Sequence, residues 1–147
     1  VEQPITENLW WVIPGKLAGV RRPTAEEISA LKTAGIGAIV SVMDDAANLD
    51  LYAASNMPYL WLPTTGGTAP TQEQAEQFRQ FVDAENARSH AVAVHCTSGR
   101  RRTGTLLAAY LIATGATAEN ALNQILQANP AVKLREAQVA FLRELQP

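Results

Sequence analysis

Ala91-Val92-Ala93-Val94-His95-Cys96-Thr97-Ser98-Gly99-Arg100-Arg101-Arg102-Thr103-Gly104 is the stretch from which the rest of the chain is read. Its first four residues have the apolar density of a β-strand. From Thr103 to Thr114, Leu106, Leu107, Tyr110 and Leu111 recur at helical spacing, so the residues between join a strand to a helix N-terminus. The unpaired N–H groups of that terminus point outward, and the aligned peptide dipoles place roughly half a positive charge there. A loop of this length can fold its own N–H groups inward as an anion nest, and Gly99 permits the left-handed backbone a nest requires. The expected phosphate-binding set is Thr97, Ser98, Gly99, Arg100, Arg101 and Arg102, with the planar fork of Arg102 holding two phosphate oxygens at once.

The same field acts on Cys96, the only cysteine of the chain. A free cysteine is only a few per cent thiolate at neutral pH, and a helix N-terminus with a guanidinium beside it can lower its pKa by roughly 1 to 5 pH units. Thiolate formation alone gives a limited gain, because a less basic thiolate is a weaker nucleophile. The larger gain is expected from N–H donors and Arg102 gripping the equatorial oxygens of a phosphoryl transition state. Thr103 has two readings: a hydroxyl that donates to the sulfur when it leaves, or an N-cap for the following helix. His95 is adjacent to Cys96 on the strand, and adjacent strand residues face opposite ways, so its ring is read as a buttress of the loop and not as a base.

Composition frames the site. At 147 residues, 47% hydrophobic and 18% charged, the chain reads as one globular domain over residues 1–147 with room for a proper core. Twelve basic against fourteen acidic residues give a net charge of −2, so no global field draws it to nucleic acid or a membrane surface. One cysteine rules out an internal disulfide, and a reactive thiol is best kept in a reducing compartment, which makes the cytoplasm the expected location. No apolar run approaches a membrane span. Val1-Glu2-Gln3-Pro4 lacks a signal pattern, although without an initiator Met a removed leader stays open. Neither His90 nor His95 has metal-ligand company, so no cofactor is expected; the partner is a phosphorylated protein or small phosphoester, and the chain is read as a monomer.

Elsewhere β-like and helical segments alternate. Trp10–Ile13 and Leu17–Ala18 flank the Pro14-Gly15 turn as an edge hairpin. Thr24-Ala25-Glu26-Glu27 is a capping box for a helix to Ala34, and a strand follows at 38–42. An acidic turn leads to a helix at about 46–55, and Tyr59–Leu62 is the next strand. Thr71 opens a long helix whose inner face carries Ala75, Phe78, Phe81 and Val82. Gly115 ends the helix after the loop. A helix at 118–127 should turn Ala121, Leu122, Ile125 and Leu126 inward, and Ala137, Phe141 and Leu145 suggest a closing helix. The pattern predicts a three-layer α/β/α domain with a central, mainly parallel sheet.

Val94-His95-Cys96 with Gly99, Arg102, Thr103 and Gly104 resembles the active-site loop of cysteine-dependent protein tyrosine and dual-specificity phosphatases. Trp11-Val12-Ile13-Pro14-Gly15-Lys16-Leu17-Ala18-Gly19 and the stretch from Phe81-Val82-Asp83 to Cys96 are similar to small atypical dual-specificity phosphatases, and the resemblance covers roughly residues 8 to 128. It implies a phosphatase fold with Cys96 as nucleophile, Arg102 as phosphate clamp and the backbone of 97–102 as oxyanion cage. It also exposes departures. The family's general acid is an Asp after an apolar-Pro pair, whereas Leu62-Pro63 is followed by Thr64, which cannot protonate a leaving group. General acid catalysis is worth about 10² to 10⁴ in rate, so its loss favours phenolate over alkoxide leaving groups. Asp44 and Asp45 follow the 38–42 strand at the sheet edge where an active site is expected, and they are read either as substitute proton donors or as a solvated capping turn.

Further departures lie around the loop. Related phosphatases carry a Glu near residues 132–136, where Leu134 stands here and Glu136 is the nearest candidate. Arg100 and Arg101 replace small residues and suggest a highly charged substrate such as a phosphoinositide, a polyphosphorylated inositol or a nucleotide; otherwise they project into water. The resulting expectation is a phosphomonoesterase acting through phosphocysteine. A weak phosphate-binding pseudophosphatase and a rhodanese-like sulfurtransferase are the rivals.

Overall fold

The computed structural model describes residues 4–98 and 100–145, and the phosphate-binding expectation for Gly99 lies outside them. Five strands form one sheet: β1 (Trp10–Ile13), β2 (Leu17–Val20), β3 (Ile36–Ser41), β4 (Tyr59–Trp61) and β5 (Ala91–His95), in the order β1-β2-β5-β3-β4. Only β1 and β2 pair antiparallel, as the Pro14-Gly15 hairpin requires. The other pairings are parallel. Among the described residues seven helices flank the sheet: α1 (Ile5–Asn8), α2 (Ile28–Thr33), α3 (Leu49–Ala54), α4 (Gln72–Ala87), α5 (Arg101–Ala113), α6 (Ala118–Ala128) and α7 (Glu136–Leu145). A short 3₁₀ turn, Ala25–Glu27, precedes α2.

Strand β5 is central and buried along its whole length, which explains its unbroken apolar run. Its side chains alternate between two cores. Val92, Val94 and Cys96 join Phe78, Val82, Leu106 and Leu107 from α4 and α5 on one face. Ala91 and Ala93 join Ile28, Leu31 and Tyr52 from α2 and α3 on the other. The domain is therefore the three-layer α/β arrangement read from the sequence. Val20, Ser41 and His95 are in register, as are Ser41 and Trp61, so the carboxyl ends of all four parallel strands reach the same sheet edge. The loops that follow them meet there, at the position where open α/β sheets bind ligands.

Local chemistry sets the helix entries. Thr71 and Gln74 satisfy each other's backbone N–H groups in a complete capping box, and Thr24 with Glu27 does the same ahead of the 3₁₀ turn. Several expectations need correction. Strand β3 starts at Ile36 because its register with Ala91 extends the pairing past Gly37. Helix α3 begins only at Leu49, since Asn48 sits at φ 75°, in the left-handed region, and ends the turn before it. Leu126 is 44% exposed on α6, and on α7 it is Gln138, Phe141 and Leu142 that are buried, while Ala137 is exposed. Helix α1 went unread; one buried side chain, Ile5, holds it to the second core. No described helix is long and apolar enough to cross a membrane.

Candidate active site

Cys96 is the first residue beyond β5 and is 2% exposed, at the floor of the loop that leads to α5. Helix α5 starts at Arg101 with no side-chain cap, so its first-turn N–H groups have no capping side chain to satisfy them. Thr103 is buried inside α5, and its hydroxyl donates to Cys96 Sγ at 3.3 Å. Of the two sequence readings of Thr103, the geometry thus matches the sulfur contact; the residue at the N-cap position is Arg100.

Arg102 is fixed by three contacts. Its guanidinium donates to the carbonyls of Thr64 (2.8 Å) and Val42 (3.4 Å) and to Thr97 Oγ1 (3.3 Å). It thereby ties the loop after β5 to those after β3 and β4. Thr97 is held in turn, its carbonyl accepting from the Arg22 N–H and its hydroxyl lying 3.6 Å from Met43 Sδ.

His95 sits beneath the loop, fully buried. Its Nδ1 lies 3.2 Å from the Cys96 carbonyl, which can only accept, so Nδ1 carries the proton. Its Nε2 then accepts from the Tyr52 hydroxyl at 2.7 Å, and that oxygen accepts from Asn48 Nδ2 at 3.1 Å. Asn48 also donates to the Pro23 carbonyl and accepts from Arg22. Burial holds the His95 pKa down to about 4, so the ring is neutral at physiological pH, and burial pushes the Tyr52 phenol up to about 12. The sequence pointed to His95 as a buttress. It gave no hint of Tyr52 or Asn48, which are more than forty residues away along the chain.

Over the sulfur opens a cavity of about 640 Å³. Ser98, Arg100, Arg101 and Arg102 line it, and so do Lys133 and Arg135, which the sequence reading did not single out. Gly104 explains how they arrive: a Cβ there would lie 2.9 Å from Val132 Cγ1, so only glycine lets the segment before α7 press against the start of α5. Among the described residues, no carboxylate lines the cavity.

The proposed proton sources lie elsewhere. Asp44 and Asp45 are exposed in the turn after β3, and Asp45 Oδ1 accepts from the Ala47 N–H at 3.0 Å, closing an Asx turn. Thr64 is buried, its hydroxyl donating to the Leu62 carbonyl. Leu134 is half-buried beside Gly104, and Glu136 is exposed at the start of α7, outside the cavity lining.

Residues 15–116 match the family model Tc-R-P, described as "Polymorphic toxin system, DSP-PTPase phosphatase". The chain is 29% identical over 91 residues to the tyrosine-protein phosphatase cdcA of Emericella nidulans; the match takes in 61% of this chain and about 15% of that relative's length. Among solved structures, Tk-PTP in its active form superimposes with a TM-score of 0.87 at 24% identity, covering 95% of this chain and 96% of the other. PTPMT1 in complex with PI(5)P superimposes with a TM-score of 0.82 at 22% identity, covering 90% and 91%.

Proposed function

Because the chain belongs to the Tc-R-P family of DSP-PTPase phosphatases, we propose that it hydrolyses phosphomonoesters through a phosphocysteine intermediate. The observation that carries this reading is the buried Cys96 sulfur, in contact with the Thr103 hydroxyl, at the floor of a cavity walled by Arg100, Arg101 and Arg102. In the first step Cys96 Sγ attacks phosphorus in line with the ester oxygen. The S–P bond forms as the P–O bond breaks, and the ester oxygen departs with the electron pair. The backbone of residues 97–102 and the Arg102 fork hold the equatorial oxygens, where charge is spread in the transition state. Water then attacks phosphorus opposite sulfur. The S–P bond breaks, phosphate is released, and the Thr103 hydroxyl stabilises the departing thiolate.

The leaving group selects the substrate. With Thr64 in the place of an acid and no carboxylate lining the cavity, a phenolate of pKa about 10 departs far more readily than an alkoxide, which favours phosphotyrosine-type esters over phosphoserine or phosphothreonine. Asp44 and Asp45 are the proposed proton sources for alkyl substrates; since neither lines the cavity, that route must pass through water. A second reading, hydrolysis of a phosphoinositide or other polyanionic phosphoester, is favoured by Arg100 and Arg101 in the cavity wall, and PTPMT1, a protein of the same fold, has been solved with PI(5)P. Thr64 favours a third, a catalytically weak phosphate-binding module.

Rapid-quench mass spectrometry during turnover of p-nitrophenyl phosphate should trap a phosphorylated Cys96, and Cys96→Ser should abolish both adduct and turnover. An active Cys96→Ser protein, or sulfur transfer from thiosulfate in place of phosphate release, would overturn the reading. Asp44→Asn and Asp45→Asn should remove the acidic-group limb of the pH–rate profile on an alkyl phosphate if either supplies the proton. An unchanged limb in both makes the turn structural.

A further inference from the structure

Five of the chain's twelve basic residues wall one cavity: Arg100, Arg101, Arg102, Lys133 and Arg135. None of them forms an ion pair among the described residues, whereas Arg21, Arg79 and Arg88, away from the cavity, are paired with Glu27, with Glu76 and Asp83, and with Glu85. Unpaired like charges repel, so gathering five of them without a counterion only becomes favourable when an anion fills the space. One tetrahedral phosphate over Cys96 is served by the loop backbone and Arg102. That leaves Lys133 and Arg135, which line the same cavity, without a role in gripping it.

Their positions are built. Arg101 Nε donates to the Lys133 carbonyl at 2.9 Å, joining the start of α5 to the segment before α7. The Arg135 N–H donates to Gln138 Oε1 at 2.9 Å, and Gln138, fully buried, donates from Nε2 to the Thr68 carbonyl. The Arg135 side chain lies against Gly67, where a Cβ would come within 3.4 Å of its Cδ and Nε. The cationic wall is therefore anchored on two loops and two helices.

We propose that this wall is a second anion subsite and that the cavity takes a phosphoanhydride, with the terminal phosphate over Cys96 and the adjacent phosphate held by Lys133, Arg135 and Arg101. The inference rests on the phosphocysteine reading above. It also accounts for the missing acid. When Cys96 Sγ displaces the terminal phosphoryl group, the bridging oxygen leaves with the electron pair as a phosphate oxygen, whose charge is shared over several oxygens and which is a far weaker base than an alkoxide, so the step depends less on a proton donor. The charge developing on that oxygen forms beside Lys133 and Arg135, which favours the transition state over the ground state. Water then cleaves the S–P bond, so one water is consumed and two phosphate-bearing products are released.

The test compares three probes with EDTA present: inorganic tripolyphosphate, p-nitrophenyl phosphate and β-glycerophosphate. Tripolyphosphate should exceed β-glycerophosphate in kcat/KM by about 10² or more. Lys133→Gln combined with Arg135→Gln should lower kcat/KM on tripolyphosphate by at least about 10-fold more than on p-nitrophenyl phosphate. Both side chains are exposed, and a thermal melt matching wild type confirms the fold. A single Lys133→Glu substitution should deepen the selective loss. Tripolyphosphate turned over no faster than β-glycerophosphate, or equal losses on all probes, overturns the subsite while leaving the phosphatase reading intact. Failure on p-nitrophenyl phosphate as well brings down both.

Discussion

Two loops face each other at the carboxyl edge of the sheet and contribute in opposite ways. The loop from Cys96 to Arg102 acts through side chains: the Cys96 sulfur is met by the Thr103 hydroxyl, and the Arg102 fork is aimed by three acceptors. The loop after β4 acts through its backbone. Thr64 offers its carbonyl to Arg102, and its hydroxyl is turned back onto Leu62. Thr64 thus enters the site through its backbone carbonyl and not through its side chain. Such a positioning role does not depend on the residue type, because a backbone carbonyl survives any side-chain replacement.

The contrast can be broken most severely at Arg102. Arg102→Lys retains the charge but loses the planar fork, so it cannot bind two phosphate oxygens and the Thr64 carbonyl together. Turnover of p-nitrophenyl phosphate should fall by about 10² to 10³, measured as kcat/KM. A loss under about threefold would mean that charge alone suffices and that the cross-link between the loops is incidental.

The underside of the active loop gives a pH test. His95 titrates near 4 in the fold, because burial penalises its charged form, against about 6.5 in the unfolded chain. Between those values the unfolded chain binds the extra proton, so the stabilisation is complete above about pH 6.5 and is lost as pH falls through 4. Urea unfolding should show about 2 kcal/mol less stability at pH 5 than at pH 7.5. His95→Asn should flatten most of that slope. A wild-type slope near zero would show that burial does not hold the ring neutral.

The smallest effect belongs to the facing loop. Thr64→Val is close in shape and removes only the hydroxyl contact to Leu62, so stability should drop by about 1 kcal/mol while kcat/KM changes less than about threefold. A large catalytic loss would show that the Thr64 side chain takes part in the chemistry and would erase the contrast between the loops.

Much of this site was legible because its signals are local. Cys96, Arg102 and Thr103 lie within eight consecutive residues, and a strand followed by a glycine-bracketed loop and a helix can place them in only a few ways. The hairpin at Pro14-Gly15 and the capping boxes at Thr24 and Thr71 were legible for the same reason: each is satisfied by atoms within four residues. Lys133 and Arg135 were not. They stand on either side of Leu134 in a short connection after Asn129-Pro130, a pattern that solvated surface segments share, and what brings them to Cys96 is the absence of a side chain at Gly104. Leu126 failed in the other direction. Its helical spacing matches an inward face, but the buried stripe of α6 runs through Ala118, Ala121 and Ile125, and Leu126 lies off it, 44% exposed.

The amino-acid sequence by itself carried most of the order of strands and helices, the strand-loop-helix signature that begins at Cys96, and the presence of Thr64 after Leu62-Pro63, since each depends on residue type and near-neighbour spacing. Tertiary structure alone decided that Tyr52 and Asn48 support His95, that Arg102 ties two loops through the Thr64 carbonyl, and that Lys133 and Arg135 complete the cavity. The physical reason is range. A cap or a turn closes within a few residues, whereas the charge around a cavity is summed over side chains that only packing brings together.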